Sequence, residues 1–167
     1  ARVSATAAYR HFAGREDLLA GVVAVAQREL GAALQEQMGL AATGTGTAAE
    51  VAYAHLRGTG RGYVLFAVGE PGLFDCLCTL PSPPEPPDPS LALLGQALDE
   101  CLAAGLLGPD DRPGAEDLAW IGVHGLAAQV QLGIHPAQGP AFSLLLERTL
   151  DFVGRGIGLR KPLPAKG

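Results

Sequence analysis

Hydrophobic residues recur at helical spacing along almost the whole chain. Leu19, Val23, Ala26, Leu30 and Leu34 stand three or four residues apart, which predicts one helix over residues 15–38 with a single apolar stripe. Gln27, Arg28, Gln35 and Glu36 occupy its other face. Residues 39–47 (GLAATGTGT) read as a flexible loop. Ala52, Leu56, Thr59, Tyr63 and Phe66 then form the stripe of a second helix over 48–68. Gly58, Gly60 and Gly62 fall inside it, each costing about 1 kcal/mol relative to Ala. Either tertiary contacts hold that helix or it kinks there. Glu70-Pro71-Gly72 is expected to end it, and a short apolar helical turn over 73–80 carries Phe74, Cys76 and Cys78.

The segment from Pro81 to Pro89 holds six prolines in nine residues, an extended connector that cannot be helical. Asp88-Pro89 reads as a helix cap followed by Pro at the first helical position. Leu91, Leu94, Leu98 and Leu102 mark the helix that follows, stopping at Gly105. A loop leads to Pro113, which restarts a helix to about residue 134. Pro140 opens a last one, to about 157, with Phe142, Leu145, Leu146, Thr149, Phe152 and Val153 on one side. No strand-like alternation and no internal repeat occurs, so the chain is expected to be all-α.

The helix over 113–134 is apolar nearly all round. Trp120, His124, Ala127 and Gln131 share one face, Val123, Leu126 and Val130 a second, and Gly122 with Gly125 a third. Such a helix must be covered nearly all round, which in a domain this small points to a partner chain. Residues 118–146 contain no Asp, Glu, Lys or Arg, yet His124, Gln129, Gln131, His135 and Pro136 interrupt the run. Two buried core helices explain it better than a membrane span, and no membrane partner is expected.

Charge changes the picture at one end. The chain carries a formal −5, but residues 1–15 hold Arg2, Arg10 and Arg15 and no acid. A basic end on an acidic body is the footprint of a protein that touches phosphate with that end only. There, Ser4 can cap a short helix over residues 5–12, Ala13-Gly14 breaks it, and Glu16 and Asp17 favour the start of the next.

The string Val3-Ser4-Ala5-Thr6-Ala7-Ala8-Tyr9-Arg10-His11-Phe12, followed by Gly14-Arg15-Glu16-Asp17-Leu18-Leu19, resembles the second half of the helix-turn-helix of TetR-like transcriptional repressors. Arg2 stands where the family usually has Gly, and Arg15 where it has Lys. Trp120-Ile-Gly-Val-His124-Gly125 further resembles a Trp-His-Gly motif in one subset of their C-terminal domains. The resemblance implies that Ser4, Ala5, Thr6 and Arg10 face base edges and that Tyr9, His11 and Arg15 hold phosphates. It implies two further helices before residue 1, about 30–40 residues long together, and a homodimer built through the helices 113–134 and 140–157. It also implies a ligand pocket, for which Tyr63, Phe66, Phe74, Trp120 and His124 are the candidate lining residues, suited to a mostly hydrophobic effector.

Other chemistries find little support. Cys76-x-Cys78 and Cys101 lack the spacing of a metal site or a disulfide framework, and three free cysteines suit a reducing, cytoplasmic setting. No activated nucleophile, paired acids or phosphate loop is visible, so neither catalysis, cofactor nor metal is expected. The reading is an all-α regulator: the remainder of a helix-turn-helix head over 1–20, a connecting helix over 21–38, a helical ligand-binding and dimerisation domain over 39–160, and a tail over 161–167. It would bind double-stranded operator DNA and be released by a small molecule. The alternative is a helical small-molecule or protein-binding module that no longer reads DNA.

Overall fold

The structure, a computed structural model, describes residues 13–41, 46–81 and 88–163. Ser4, Ala5, Thr6, Tyr9, Arg10 and His11 lie outside the described residues, as does most of the proline-rich connector. Among the described residues six helices follow one another: α1 (Arg15–Ala41), α2 (Ala48–Gly69), α3 (Pro71–Thr79), α4 (Pro89–Ala103), α5 (Ala115–Gln131) and α6 (Gly139–Gly156). There is no strand among the described residues, and the fold is all-α.

Local chemistry sets the helix ends. Glu16 and Asp17 lie in the first turn of α1, and the Asp17 carboxylate accepts the Ala13 N–H at 2.9 Å. α2 opens on a reciprocal cap: the Glu50 N–H donates to Thr47 Oγ1 at 3.3 Å while the Thr47 N–H donates to Glu50 Oε2 at 2.8 Å. Pro71 does not merely end α2 but begins α3, because the first turn of a helix has no use for the N–H that Pro lacks. Asp88 caps α4, accepting the Ser90 N–H at 2.8 Å, with Pro89 at the first position as expected.

The helix expected over 113–134 is shorter at both ends. Gly114, at φ 76°, holds the chain in a left-handed turn until Ala115, and Gly133, at φ 71°, closes the other end. The same closure ends α4, α5 and α6: the residue after a left-handed Gly donates back to the helix, Leu106 to the Cys101 carbonyl at 2.9 Å, Ile134 to Gln129 at 3.0 Å and Leu159 to Gly154 at 2.8 Å.

α2 is the central rod and packs against each of the other five helices. Its Ala52 and Leu56 join Met38, Leu98, Cys101 and Ile157 in one core cluster. Val64 joins Val123, Leu126, Phe142, Leu146 and Leu150 in a second. Phe66 and Ala67 join Leu30, Leu34, Phe74 and Ala127 in a third. The three glycines make this possible, and the helix runs through them unbroken. A methyl group on Gly58 would lie 2.8 Å from the Met38 Cα, and one on Gly62 would lie 2.8 Å from the Leu34 Cα. One helical turn apart, these two positions let α2 rest backbone to backbone on α1. Gly60, on another side of α2, is closed in by Leu150 and Val123.

Gly62→Ala should destabilise the protein by about 1–3 kcal/mol, since the added carbon meets backbone that cannot swing aside. Gly39→Ala, in α1 with open space around it, should stabilise it by about 0.5–1 kcal/mol. Urea unfolding of the two variants gives the comparison. Equal effects of the two substitutions would remove the backbone seam from the account.

Candidate functional site

Where α2 leaves room for no side chain against α1, it leaves a small void on the side turned toward α4, α5 and α6. This cavity of about 50 Å³ is lined by Leu34 of α1, by Leu56, Arg57, Thr59, Gly60 and Tyr63 of α2, and by Ser90 and Leu94 of α4. Ala119, Trp120 and Val123 of α5 and Leu150, Val153 and Gly154 of α6 complete it together with Ile157 and Leu159. Leu159 belongs to the turn that closes α6, and the next residue ties that turn to the end of α4, Arg160 N–H donating to the Leu106 carbonyl at 2.8 Å.

Of the five residues expected to form a pocket, Tyr63 and Trp120 line this cavity. Phe74 and His124 stand behind them in one aromatic group. The Tyr63 and Phe74 rings meet edge to face at 5.7 Å, and His124 lies 5.8 Å from Phe74 and 5.3 Å from Trp120. Phe66 is buried one turn further along α2 in the cluster that holds Phe74. Sequence spacing missed Leu34, Thr59, Gly60, Ser90 and Leu150, whose convergence depends on how five helices cross.

The polar groups around the cavity are satisfied among themselves. Trp120 Nε1–H donates to Tyr63 Oη at 3.1 Å, and Tyr63 Oη lies 2.9 Å from His124 Nδ1. An indole nitrogen can only donate, so the Tyr63 oxygen accepts from Trp120, and its own hydrogen is available to Nδ1 of His124. Burial pushes the Tyr63 phenol up to about 12, against the pull of the Trp120 hydrogen bond; Tyr63 is therefore a neutral donor at physiological pH. Thr59 Oγ1 donates to the Leu56 carbonyl at 2.8 Å and Ser90 Oγ to Asp88 at 2.7 Å.

Arg57 reaches the cavity edge with its charge already committed. It meets Asp151 at 2.5 Å and Glu147 at 2.6 Å, and Arg61 meets Glu147 at 2.5 Å, so two arginines of α2 clamp two acids of α6. Burial works against the Glu147 charge, but the hydrogen bonds from Arg61 and Arg57 outweigh it and hold the carboxyl below the ordinary carboxylate range. What remains for a guest is an apolar void with no free charge.

A second feature lies outside the cavity. Leu118, Ile121, Gly125, Ala128 and Leu132 alternate at three and four residues along one side of α5 and its end. Leu118, Ile121 and Leu132 are exposed in the single chain, and nothing approaches Gly125. On α6, Leu144 and Phe152 are likewise exposed. Gly122 is not part of this open side, because Val153 of α6 packs against it.

The cysteines sit apart from both features. Cys101 is buried, donates to the Ala52 carbonyl at 3.4 Å, and its thiol is pushed up to about 11 by burial; it is a core residue. Cys78 is exposed and Cys76 half-buried on α3. Among the described residues no helix is long and apolar enough to cross a membrane. Arg15 is exposed at the first position of α1.

A family model described as the tetracyclin repressor-like C-terminal domain matches residues 56–153. That span contains both the cavity's main walls and the exposed side of α5 and α6. No curated protein and no solved structure matches the chain.

The clamp between α2 and α6 makes stability depend on pH in a defined direction. A carboxyl held below its ordinary value of 4.5 contributes stability that is fully present above that value and lost as pH falls through the lower, folded one. Glu147→Gln removes this contribution. The stability gap between wild type and Glu147→Gln, measured by urea unfolding at pH 7 and again near pH 3, should be open at the first and largely closed at the second. A gap independent of pH would mean that Glu147 contributes nothing through its charge.

Proposed function

The chain belongs to the tetracyclin repressor-like family, and from that membership we propose that it is a DNA-binding transcription regulator, a homodimeric repressor released from its operator by a small apolar molecule. The observation that carries this reading is the position of Leu34: one wall of the cavity is supplied by α1, the helix whose other end begins beside the basic segment. Arg15 and Leu34 are separated by about 28 Å of helix at 1.5 Å per residue. A tilt of about 5° at Leu34 would move Arg15 by about 2.5 Å, enough to misplace a reading head in a groove.

α1 and α2 meet backbone to backbone at Gly58 and Gly62, so a displacement of α2 by a guest would pass to α1 with no side chain between to absorb it. For the guest to act as a switch it must prefer the state that does not fit DNA, a coupling of about 1–3 kcal/mol in comparable systems. The regulator reading is favoured over an enzyme by the family.

The homodimer in this reading forms through α5 and α6. Exposed large apolar residues at alternating steps of three and four are the pattern that a partner helix covers, and an equivalent copy would bury both stripes across a two-fold axis. At the basic end, Ser4, Ala5, Thr6 and Arg10 would meet base edges while Tyr9, His11 and Arg15 hold phosphates.

Ile121→Glu combined with Phe152→Glu should convert the dimer into a folded monomer, read by sedimentation alongside circular dichroism. A dimer that survives both charges would exclude this interface. In the intact protein Arg15→Ala should weaken binding to all DNA sequences alike and lower the slope of log affinity against log salt by about 0.9 per protomer. Fluorescence anisotropy at several salt concentrations checks this, and a loss confined to one sequence would contradict a phosphate-holding role.

A further inference from the structure

The cavity is too small for most effectors. Pockets that hold a small molecule usually measure about 300–1,000 Å³, so a guest larger than a few solvent molecules must push back a wall from the 50 Å³ seen here. Most walls are tied to one another and can shift only together. The α1 and α2 side is a backbone seam, Gly60 is closed in by Leu150 and Val123, and α6 is clamped to α2 through Arg57 and Arg61. The Leu159 turn is tied down by its closing hydrogen bond to Gly154 and through Arg160 to Leu106.

Trp120 is different. Alone among the lining residues it is largely open to solvent, 44% exposed, so its ring reaches from the cavity to solvent. The polar anchor of that ring is the hydrogen bond from Nε1 to Tyr63 Oη.

We propose that Trp120 is the gate of the cavity, latched by the Tyr63 hydroxyl, and that the guest is an uncharged, largely apolar molecule with one N–H or O–H donor that replaces the indole on Tyr63. When the ring swings outward, Tyr63 keeps its bond to His124 but loses the donor that filled its acceptor site. A guest with a donor at the edge of an apolar body restores that bond. A guest without one leaves the oxygen unpaired in an apolar void, which is unfavourable. A charged guest finds no partner, because Arg57 is already held by Glu147 and Asp151. This inference rests on the cavity being the effector site.

The chain has one tryptophan, so incorporation of 5-fluorotryptophan gives a single ¹⁹F signal from Trp120. Two neutral probes of similar shape, 2-naphthol with a donor and 2-methylnaphthalene without, can be titrated by calorimetry into wild type and Tyr63→Phe. The wild type should bind 2-naphthol up to roughly tenfold more tightly, and the ¹⁹F signal should move as the site fills. Tyr63→Phe should still bind both, with the preference gone. Equal binding of both probes by the wild type, or a ¹⁹F signal that stays still at saturation, overturns the gate while leaving the cavity as the effector site. Failure of the folded protein to bind either probe overturns both.

Discussion

The contact on which this molecule depends is the approach of α2 to α1 at Gly58 and Gly62. Each glycine lowers the intrinsic helicity of α2, by about 1 kcal/mol against Ala, and in isolation the segment would be a poor helix. In the fold the same absence of side chains lets two backbones touch, so that α2 can occupy the centre and offer a different side to each neighbour. Side chains from α2 then enter three separate core clusters. Local cost and tertiary gain sit on the same residues.

A void at the hub of such an arrangement is placed to affect more than its own walls. The cavity borders α1, α2, α4, α5 and α6, and its polar groups are engaged with one another. Trp120, Tyr63 and His124 form one hydrogen-bonded chain, and the arginines answer the acids of α6. The protein thus presents an apolar guest with surface and shape. Family membership supplies the wider setting of a regulator, and the seam supplies a physical route by which occupancy can be felt along α1. The open apolar side of α5 and α6 faces neither the cavity nor the seam, which leaves it available to a second copy.

Much of this was legible in the residues. The apolar stripes gave the number of helices after residue 15, and Asp88-Pro89 and Gly105 marked real caps because their chemistry is local. That Tyr63, Trp120 and His124 belong together follows from the family resemblance and not from spacing, since Tyr63 lies on a different helix from the other two. Other features were not legible. Pro71 in sequence signals a stop but serves equally as a start, and the ends of α5 are set by left-handed Gly114 and Gly133 rather than by hydrophobicity. The glycines of α2 leave two outcomes open in sequence, a kink or a helix held by tertiary contacts, and only the approach of α1 to Gly58 and Gly62 decides for the second. Leu34, Ser90 and Leu150 carry no mark of a cavity in sequence; their meeting is a property of how the helices cross.

The central claim is that filling the cavity changes the grip of the basic end on DNA. The most direct measurement is the affinity of the intact protein for DNA from its own upstream region, by fluorescence anisotropy, with and without a compound that calorimetry shows to saturate the cavity. The account predicts that saturation raises the dissociation constant by roughly 5- to 150-fold, the range of common allosteric couplings. Full occupancy of the cavity with unchanged affinity for DNA would contradict it.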